Sequence, residues 1–458
     1  MRPLYGFRMA IAAAGMVGLM STPTHGSSFQ ILEQSTARLG TAFSGTASLA
    51  DDATTVFFNP AGMTQLDRPQ LSLAGNLILV ESEFNDEGSV AAAGTPLQQP
   101  LRGKEDETDE LGSVPNFYYV HPFSERWRFG LGINAPFGLK TEYDSDWIGR
   151  YHATESELVV LNINPAVAFA VNDRLSLGLG LSYRHIDTTL KNQVDSFSAC
   201  FAGAGAIPGA GATCAQAHGG PGNRDSDSSV KIEGDDDDVV ADLSAHWRVT
   251  DNTRVGLIWR QGGDYTLDGS ADFRPSASCV EDPFCSGTLQ ALDGDVEADV
   301  ELPDTVTLSV SHRFDAAWQV HGDIAWTEWS SIKEIAVVNT GNSQTVSSLD
   351  LQYDDTLRYA VGASFEPGNR WTWRFGLAYD EAPQTDREFV TPRIPDQDRF
   401  WTSVGFNYAF SEAASVDVGY AHLFVDTNEI DKTDQGNRLV GDFDSSADIL
   451  GAQVNWRF

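Results

Sequence analysis

The sequence predicts an all-β protein, a closed antiparallel barrel of fourteen strands that crosses a membrane. Three observations predict it. Segment after segment alternates apolar residues with small, charged or polar ones, the period-2 mark of a strand with one greasy face. Fourteen such segments occur, an even number as in single-chain bacterial barrels. Tight connections such as Val171-Asn172-Asp173-Arg174 and Glu366-Pro367-Gly368-Asn369 alternate with long ones over 190–236 and 267–301, as short turns at one rim and long loops at the other require.

The chain opens with Arg2 and Arg8 before an apolar run from Met9 to Met20 and the small, turn-prone residues Ser21 to Gly26. This reads as a secretory signal peptide over 1–26, cut after Gly26. Twelve apolar residues fall short of the roughly 20 that a helical span needs, and no later segment comes nearer. Helical spans are excluded.

The next segment, 27–68, is Gly- and Ala-rich and ends in Phe57-Phe58-Asn59-Pro60-Ala61-Gly62. Asn-Pro starts a turn and Pro60 removes a donor, yet so short a stretch cannot supply its own core.

From residue 69 to 458 the alternating segments run 69–82, 114–121, 126–138, 155–171, 174–189, 237–249, 253–266, 302–314, 317–330, 350–366, 370–382, 397–410, 414–425 and 446–458. Trp127 to Asn134 is typical: every odd residue is apolar and every even one small, charged or polar. Alternation alone does not say which face is inside, so a soluble sandwich is the rival arrangement. Three features favour the barrel: aromatics at strand ends (Trp127, Trp247, Trp259, Trp318, Trp326, Trp371, Trp373), a length beyond one sandwich, and a terminus alternating to a final aromatic, Val454 to Phe458. Closure also hides every strand edge, as lipid demands.

Charge narrows the function. The formal charge is -35, and removing the signal leaves 28 basic residues against 65 acids, or -37. Nucleic acid is excluded as a partner. Acidic runs at Glu105 to Glu110 and Asp235 to Asp238 read as solvated loops, with divalent-cation binding as the sharper alternative. The cysteines fall in two close pairs, Cys200 with Cys214 and Cys279 with Cys285; local disulfides are the economical pairing in an exported chain, and the spacing fits no common zinc site. No metal or cofactor motif is found. An enzyme needs a nucleophile beside a positioned base, and no such motif occurs among nine scattered histidines; His185, His246 and His321 sit near strand ends, where belt or lumen roles are expected.

Certain stretches carry a resemblance. Ser28 to Ser35, Leu39 to Gly45, Ala50 to Ala53 with Asn59 to Met63, Asn134 to Leu139 with Thr141 to Tyr143, Thr327 to Ser330, Ile394-Pro395-Asp396-Gln397-Asp398-Arg399-Phe400-Trp401 and Ala414 to Tyr420 resemble the FadL family of outer-membrane long-chain fatty acid transporters. The resemblance implies a bacterial outer-membrane monomer, touching outer-membrane lipid, whose barrel is plugged by an N-terminal hatch over 27–68. It implies that the hatch turn Asn59-Pro60-Ala61 lies against an inward kink of the third strand that opens the wall toward the bilayer. The residues support a defect at that strand, because Asn134, Pro136, Phe137 and Gly138 interrupt it and proline cannot donate to a ladder. The alternative is that Pro136 marks the strand's outer end.

The expected function is passive, hatch-gated uptake of long-chain fatty acid with lateral exit at the kink; the alternative is the same route for aromatic or aliphatic hydrocarbons, and a general porin is a further rival. A carboxylate in a partly dry site needs a cation. Candidates are Arg150, in Arg150-Tyr151-His152 after the third strand, Arg184, Arg260, and Arg393 beside Pro392 and Ile394. Parity points Arg128, Arg184, Arg248, Arg254, Arg260, Arg313, Arg358, Arg374 and Arg399 inward, together with Asp242, Asp323, Asp380 and Asp417. An internal ion-pair ladder bracing the barrel is the competing role for any one of them.

Overall fold

A computed structural model describes residues 28–458, so the expected signal peptide lies outside the described residues. Fourteen wall strands follow one another around a closed ring: β1 (Gln70–Asp86), β2 (Glu107–Pro122), β3 (Trp127–Glu142), β4 (Glu155–Ala170), β5 (Leu175–Val194), β6 (Ser228–Arg248), β7 in two pieces (Thr253–Arg260 and Gly263–Arg274), β8 in two pieces (Gly294–Leu302 and Thr305–Arg313), β9 (Trp318–Thr327), β10 (Thr356–Phe365), β11 (Trp371–Asp380), β12 (Arg399–Ala409), β13 (Ala414–Val425) and β14 (Asn437–Arg457). Each strand is antiparallel to its neighbours, and β14 closes on β1 from Gln70 opposite Arg457 to Asp86 opposite Gly441. Among the described residues no helix is long and apolar enough to cross a membrane.

Two segments read as continuous strands are broken. Gln261-Gly262 interrupts β7 and Pro303-Asp304 interrupts β8. Asp304 explains the paired break: its carboxylate accepts the Gly262 N–H and the Trp259 indole N–H, each at 2.8 Å, in place of ladder bonds, and Pro303 has none to give. A Cβ on Gly262 would collide with the Leu302 carbonyl.

The acidic runs are not loops. Asp235 to Asp238 sits inside β6, and the second half of the first run, Glu107 to Glu110, opens β2. Along β6 the odd positions Val239, Leu243 and Trp247 face outward below, while Glu233, Asp235 and Asp237 do so above; inward, Asp242, Ser244 and His246 give way to Val230 and Ile232. The strand keeps its parity while the chemistry of its faces reverses, which places the edge of the hydrocarbon between Asp238 and Val239. Above that level the outside is water, so acids belong there and the apolar side turns inward.

Trp127, Trp247, Trp318, Trp371, Trp373 and Trp456 are exposed on the outside, whereas Trp259 and Trp326 are half-buried. Two short helices, α1 (Thr36–Leu39) and α2 (Thr55–Phe58), precede the wall, and outside the bilayer two long connections form a helical cap: α3 (Ser196–Ala204) and α4 (Ala210–His218) joined by Cys200–Cys214, and α5 (Ala277–Glu281) and α6 (Pro283–Leu292) joined by Cys279–Cys285.

Residues 28–68 fill the lumen, touching strands on all sides. Ser35 Oγ donates to Gln453 on β14, Ala47 N–H to Ser309 on β8, Gln34 Nε2 to Ala135 on β3, and Arg358 on β10 donates to the Ala42 carbonyl. The wall thereby supplies the core this segment lacks, with Leu39, Phe43, Val56, Phe58 and Met63 buried against Tyr118, Ala360 and Trp401.

Candidate functional site

The third strand departs from the wall. β2 and β3 pair only from Phe117 opposite Ile133 to Pro122 opposite Arg128, while β3 keeps its other neighbour up to Glu142 opposite Glu155. One extra residue enters β3 between Asn134 and Phe137, shifting its register on β4. Pro136 therefore lies mid-strand, not at an outer end. Across the parting the strands keep side-chain contacts in place of a ladder: Asn134 Nδ2 donates to Tyr118 Oη at 3.1 Å, and Glu110 lies 3.9 Å from Lys140.

The edge that β2 relinquishes is taken by the start of the lumen segment. Gly138 N–H donates to the Phe29 carbonyl and Ile31 N–H to the Pro136 carbonyl, each at 2.9 Å, while Gln34 reaches the Ala135 carbonyl at 2.7 Å. Phe29 packs edge-on to Trp329 and beside Phe137, with centroids 4.9 and 6.0 Å away. Ser28 N–H donates to Asp396 Oδ2 at 2.5 Å, and Asp396 pairs with Arg399 at 2.7 Å. Burial raises the Asp396 carboxyl to about 6, against the opposing pull of Arg399.

The turn Asn59-Pro60-Ala61 stands elsewhere, which corrects the expectation that it lies against the kink. Asn59 Nδ2 donates to the Ala47 and Ala245 carbonyls at 2.7 and 3.0 Å, and its Oδ1 accepts from Ala61 N–H at 3.0 Å. Ala61 N–H also meets Ser244 Oγ, so the turn rests on β6. Its amide side chain is fully used there, and the kink is left to Phe29–Gln34. Phe57 and Phe58, just before the turn, share a cavity of about 70 Å³ with Pro136, Phe137 and Arg260.

Two further cavities lie above. One of about 450 Å³ sits beneath α3 and α6, with His152, Asn192, Arg393, Lys432 and Asp434 at its polar side and Val194, Val230, Ile232, Leu289 and Leu349 at its apolar side. The second, of about 90 Å³, is lined by Leu158, Leu267, Val296, Val300, Ile335 and Ile394 and runs from Arg393 to Phe29 and Leu139 at the kink. Ile232, Ser347, Leu349 and Arg393 border both. A cavity of about 720 Å³ at the opposite mouth is walled by Asp51, Asp52, Arg254, Arg374, Asp417 and other polar groups, a lining that suits water and not an apolar molecule.

The four candidate cations part company. Arg150 is enclosed and donates to Asp227 Oδ2, Tyr151 Oη and the carbonyls of Arg102, Trp147 and Gly222; it ties loops together and lines neither upper cavity. Arg184 donates to Asn162 and the Gly262 carbonyl near Phe137. Arg260 pairs with Asp242 at 3.2 Å and lies over Phe57. Arg393 donates to Ser156 Oγ at 3.0 Å, Asn192 Oδ1 at 3.1 Å and the Glu155 carbonyl at 3.2 Å, with no carboxylate at ion-pair distance among the described residues. Burial holds its guanidinium down at about 10, still charged at neutral pH. Beside it, burial and the Lys432 and Arg393 charges depress His152 to about 3, so its imidazole is neutral.

Other inward arginines form a brace. Arg374 pairs with Asp417, Arg358 and Arg399 approach Asp380 at 4.0 and 3.9 Å, and Arg313 pairs with Glu366 at 3.0 Å. Asp323 instead accepts from Gly45 and Thr46 of the lumen segment. His246 meets the Ser48 carbonyl and His321 meets Ser364 inside, while His185 is outside against Asp237. Lys432 escaped the sequence reading because no alternation marks its loop hairpin. Asp396 lay in a conspicuous motif, but nothing there announced Ser28 as its partner.

Residues 17–458 match the family model described as outer membrane protein transport protein (OMPP1/FadL/TodX). The chain is 28% identical over 424 residues to a long-chain fatty acid transport protein of Escherichia coli O157:H7, covering 90% of this chain and 91% of the relative. It is 28% identical over 436 residues to outer membrane protein P1 of Haemophilus influenzae, covering 91% and 90%. In fold it is similar to a crystal structure of a Pseudomonas aeruginosa FadL homologue, with a TM-score of 0.83 and 24% identity over 94% of this chain and 100% of that one. The Pseudomonas putida toluene transporter TodX is also similar, with a TM-score of 0.66 and 18% identity over 93% and 99%.

Proposed function

The chain belongs to the OMPP1/FadL/TodX family of outer-membrane transport proteins, and from that premise we propose that it takes up long-chain fatty acids by passive, hatch-gated diffusion with lateral exit at the third strand. Family membership makes it a transporter of hydrophobic small molecules in the outer membrane, not an enzyme. The finer reading rests on Arg393, a buried cation without a carboxylate partner among the described residues, at the junction of a roomy cavity under the cap and an apolar one that ends at the kink.

A fatty acid enters under α3 and α6 with its carboxylate toward Arg393 and Lys432. Neutral His152 keeps a third positive charge out of the site. The acyl chain follows Leu158, Val300 and Ile394 toward Phe29, and each methylene kept from water is worth about 0.8 kcal/mol. Phe29–Ile31 holds the inward edge of β3 through two backbone bonds and Asp396 holds Ser28. Displacing this short strand joins the apolar cavity to the parting between β2 and β3, and the chain leaves sideways into lipid without crossing an aqueous lumen. The polar cavity at the other mouth is no competing exit for an acyl chain.

The second reading, uptake of aromatic or aliphatic hydrocarbons by the same route, draws on the almost wholly apolar lining of the inner cavity. Uptake of radiolabelled palmitate and toluene by a transporter-null bacterium carrying this gene separates them. Palmitate uptake supports the first reading; toluene without palmitate replaces it with the second.

A further inference from the structure

We propose that the outer face of the helical cap is a landing surface for an oil droplet, from which the transporter draws its substrate. This rests on the transport of hydrophobic molecules and not on the head group they carry.

The cap departs from the rest of the chain in charge. From Ser196 to Asn223 there is no Asp, Glu, Lys or Arg, in a protein whose formal charge is -35. The wall below it turns exposed acids outward, among them Asp235, Asp237, Asp264, Asp268 and Glu301. A droplet whose surface carries fatty-acid carboxylates is repelled by that wall and meets no fixed negative charge on α3 and α4, the cap acids Glu281 and Asp282 lying beyond them.

The cap also turns apolar side chains to water. Val280 is 64% exposed, Ile207 52%, Phe201 49%, Leu97 42% and Phe284 38%. They belong to one packed body. A Cβ built on Gly211 would lie 3.2 Å from Leu97 and 3.7 Å from Phe201, and Gly203 backs onto Phe284. Phe201 and Ile207, in a stretch without charge, are suited to entering an apolar interface, with Val280 and Phe284 at its margin beside Glu281 and Asp282. Two disulfides and the buried His218–Asp282 pair hold the helices together without help from these side chains.

The landing surface adjoins the route. The same α3 that presents Phe201 outward lines the 450 Å³ cavity with Ser198, Ala199 and Ala202, opposite Thr288 and Leu292 of α6. A molecule leaving a droplet at the cap's outer face has one helix thickness to cross before reaching the polar side of that cavity. Delivery of monomers through water is a poor alternative for a long chain, since every methylene exposed costs about 0.8 kcal/mol.

The test uses the full chain in lipid nanodiscs with two probes, hexadecane droplets and monomeric dodecanoate. Wild type is expected to float with the droplets, and the triple variant F201D/I207D/V280D to do so about tenfold less, with dodecanoate binding changed by no more than about twofold. A second triple variant, F201S/I207S/V280S, carries the test should the charged one lose its disulfide-protected cap; it is expected to reduce flotation less but measurably. The proposal falls if wild type floats no better than a porin in the same nanodiscs, or if both variants float like wild type. It also falls if the patch serves self-association of two copies and not droplet retention. Failure of wild type to bind dodecanoate would count against the fatty-acid reading and leave the droplet measurement intact.

Discussion

Restoring the third strand should close the transporter. Deleting Ala135 and replacing Pro136 with valine removes the extra residue and supplies the missing donor, so β3 can run on in register with β2. The residues between Asn134 and Glu142 would then face the upper half of β2, where no ladder bonds now exist. About eight new backbone bonds at roughly 1 kcal/mol net each are offset by the loss of the contacts from Phe29, Ile31 and Gln34. The balance is on the order of 5 kcal/mol in favour of a shut wall, which lowers an open population by about a thousandfold or more. Palmitate uptake by a transporter-null strain, at matched outer-membrane levels, should fall to background. The folded barrel should meanwhile resist heat and detergent better than wild type. A cysteine pair placed across β2 and β3 reports whether the ladder has formed. Uptake at the wild-type rate through a barrel whose repaired strands are cross-linked would refute lateral exit.

Other substitutions probe the remaining parts. Arg393→Gln should weaken palmitate binding by about 10- to 150-fold, the value of a charge-assisted bond of about 1.5–3 kcal/mol, and leave toluene or hexadecane uptake unchanged; titration in nanodiscs measures the first and uptake the second. Asn59→Ala loses two donated bonds and one accepted bond and should destabilise the lumen segment by about 2–3 kcal/mol, seen as faster protease cleavage within 28–68. Asp396, raised to about 6 on folding, favours its protonated form in the native state, so its contribution to stability is full below the unfolded carboxyl value and lost as pH rises through 6. The Ser28 bond pulls the other way, favouring the charged carboxylate, so acidification through pH 6 should loosen that one contact without unfolding the barrel; a spin label at residue 28 should gain mobility, and Asp396→Asn should abolish the pH step. Replacing Cys200 and Cys214 with serine removes a closure between residues 14 apart and should cost the cap about 3 kcal/mol, detected by hydrogen exchange in α3 and α4, while the wall's unfolding stays put.

Alternation was enough to count the wall strands, because lipid outside and a polar lumen inside impose opposite chemistries on successive residues such as Trp127 to Asn134. It failed where that contrast ends. Above Val239 the same strand faces water outside and an apolar cavity within, so Asp235 to Asp238 read as a loop although its backbone pairs throughout. Pro136 betrayed the defect in β3, since a missing donor is a local fact. What occupies the freed edge was not legible, because the pairing of Gln30 with Phe137 joins segments about a hundred residues apart and leaves no local pattern. The four candidate arginines were equal in sequence. Only the surroundings, a carboxylate beside Arg260 and a ring of carbonyls around Arg150, distinguish them from Arg393.

The docking of the lumen segment sets an order on assembly. Ser28 meets a partner 368 residues later in the chain, Ser35 one 418 residues later, and Asp52 accepts from Gln453. Such distant contacts form slowly, and none can form until β12 to β14 exist. The part of the chain that emerges first is therefore the last to find its place. Until then Phe29, Phe43, Phe57 and Phe58, all buried at the end, have no wall to cover them, so this stretch depends on a holding chaperone or on rapid wall closure to escape aggregation. A chain truncated before Asp396 would keep the β3 contacts of Phe29 to Gln34 but lose the partners of Ser28, Ser35 and Asp52.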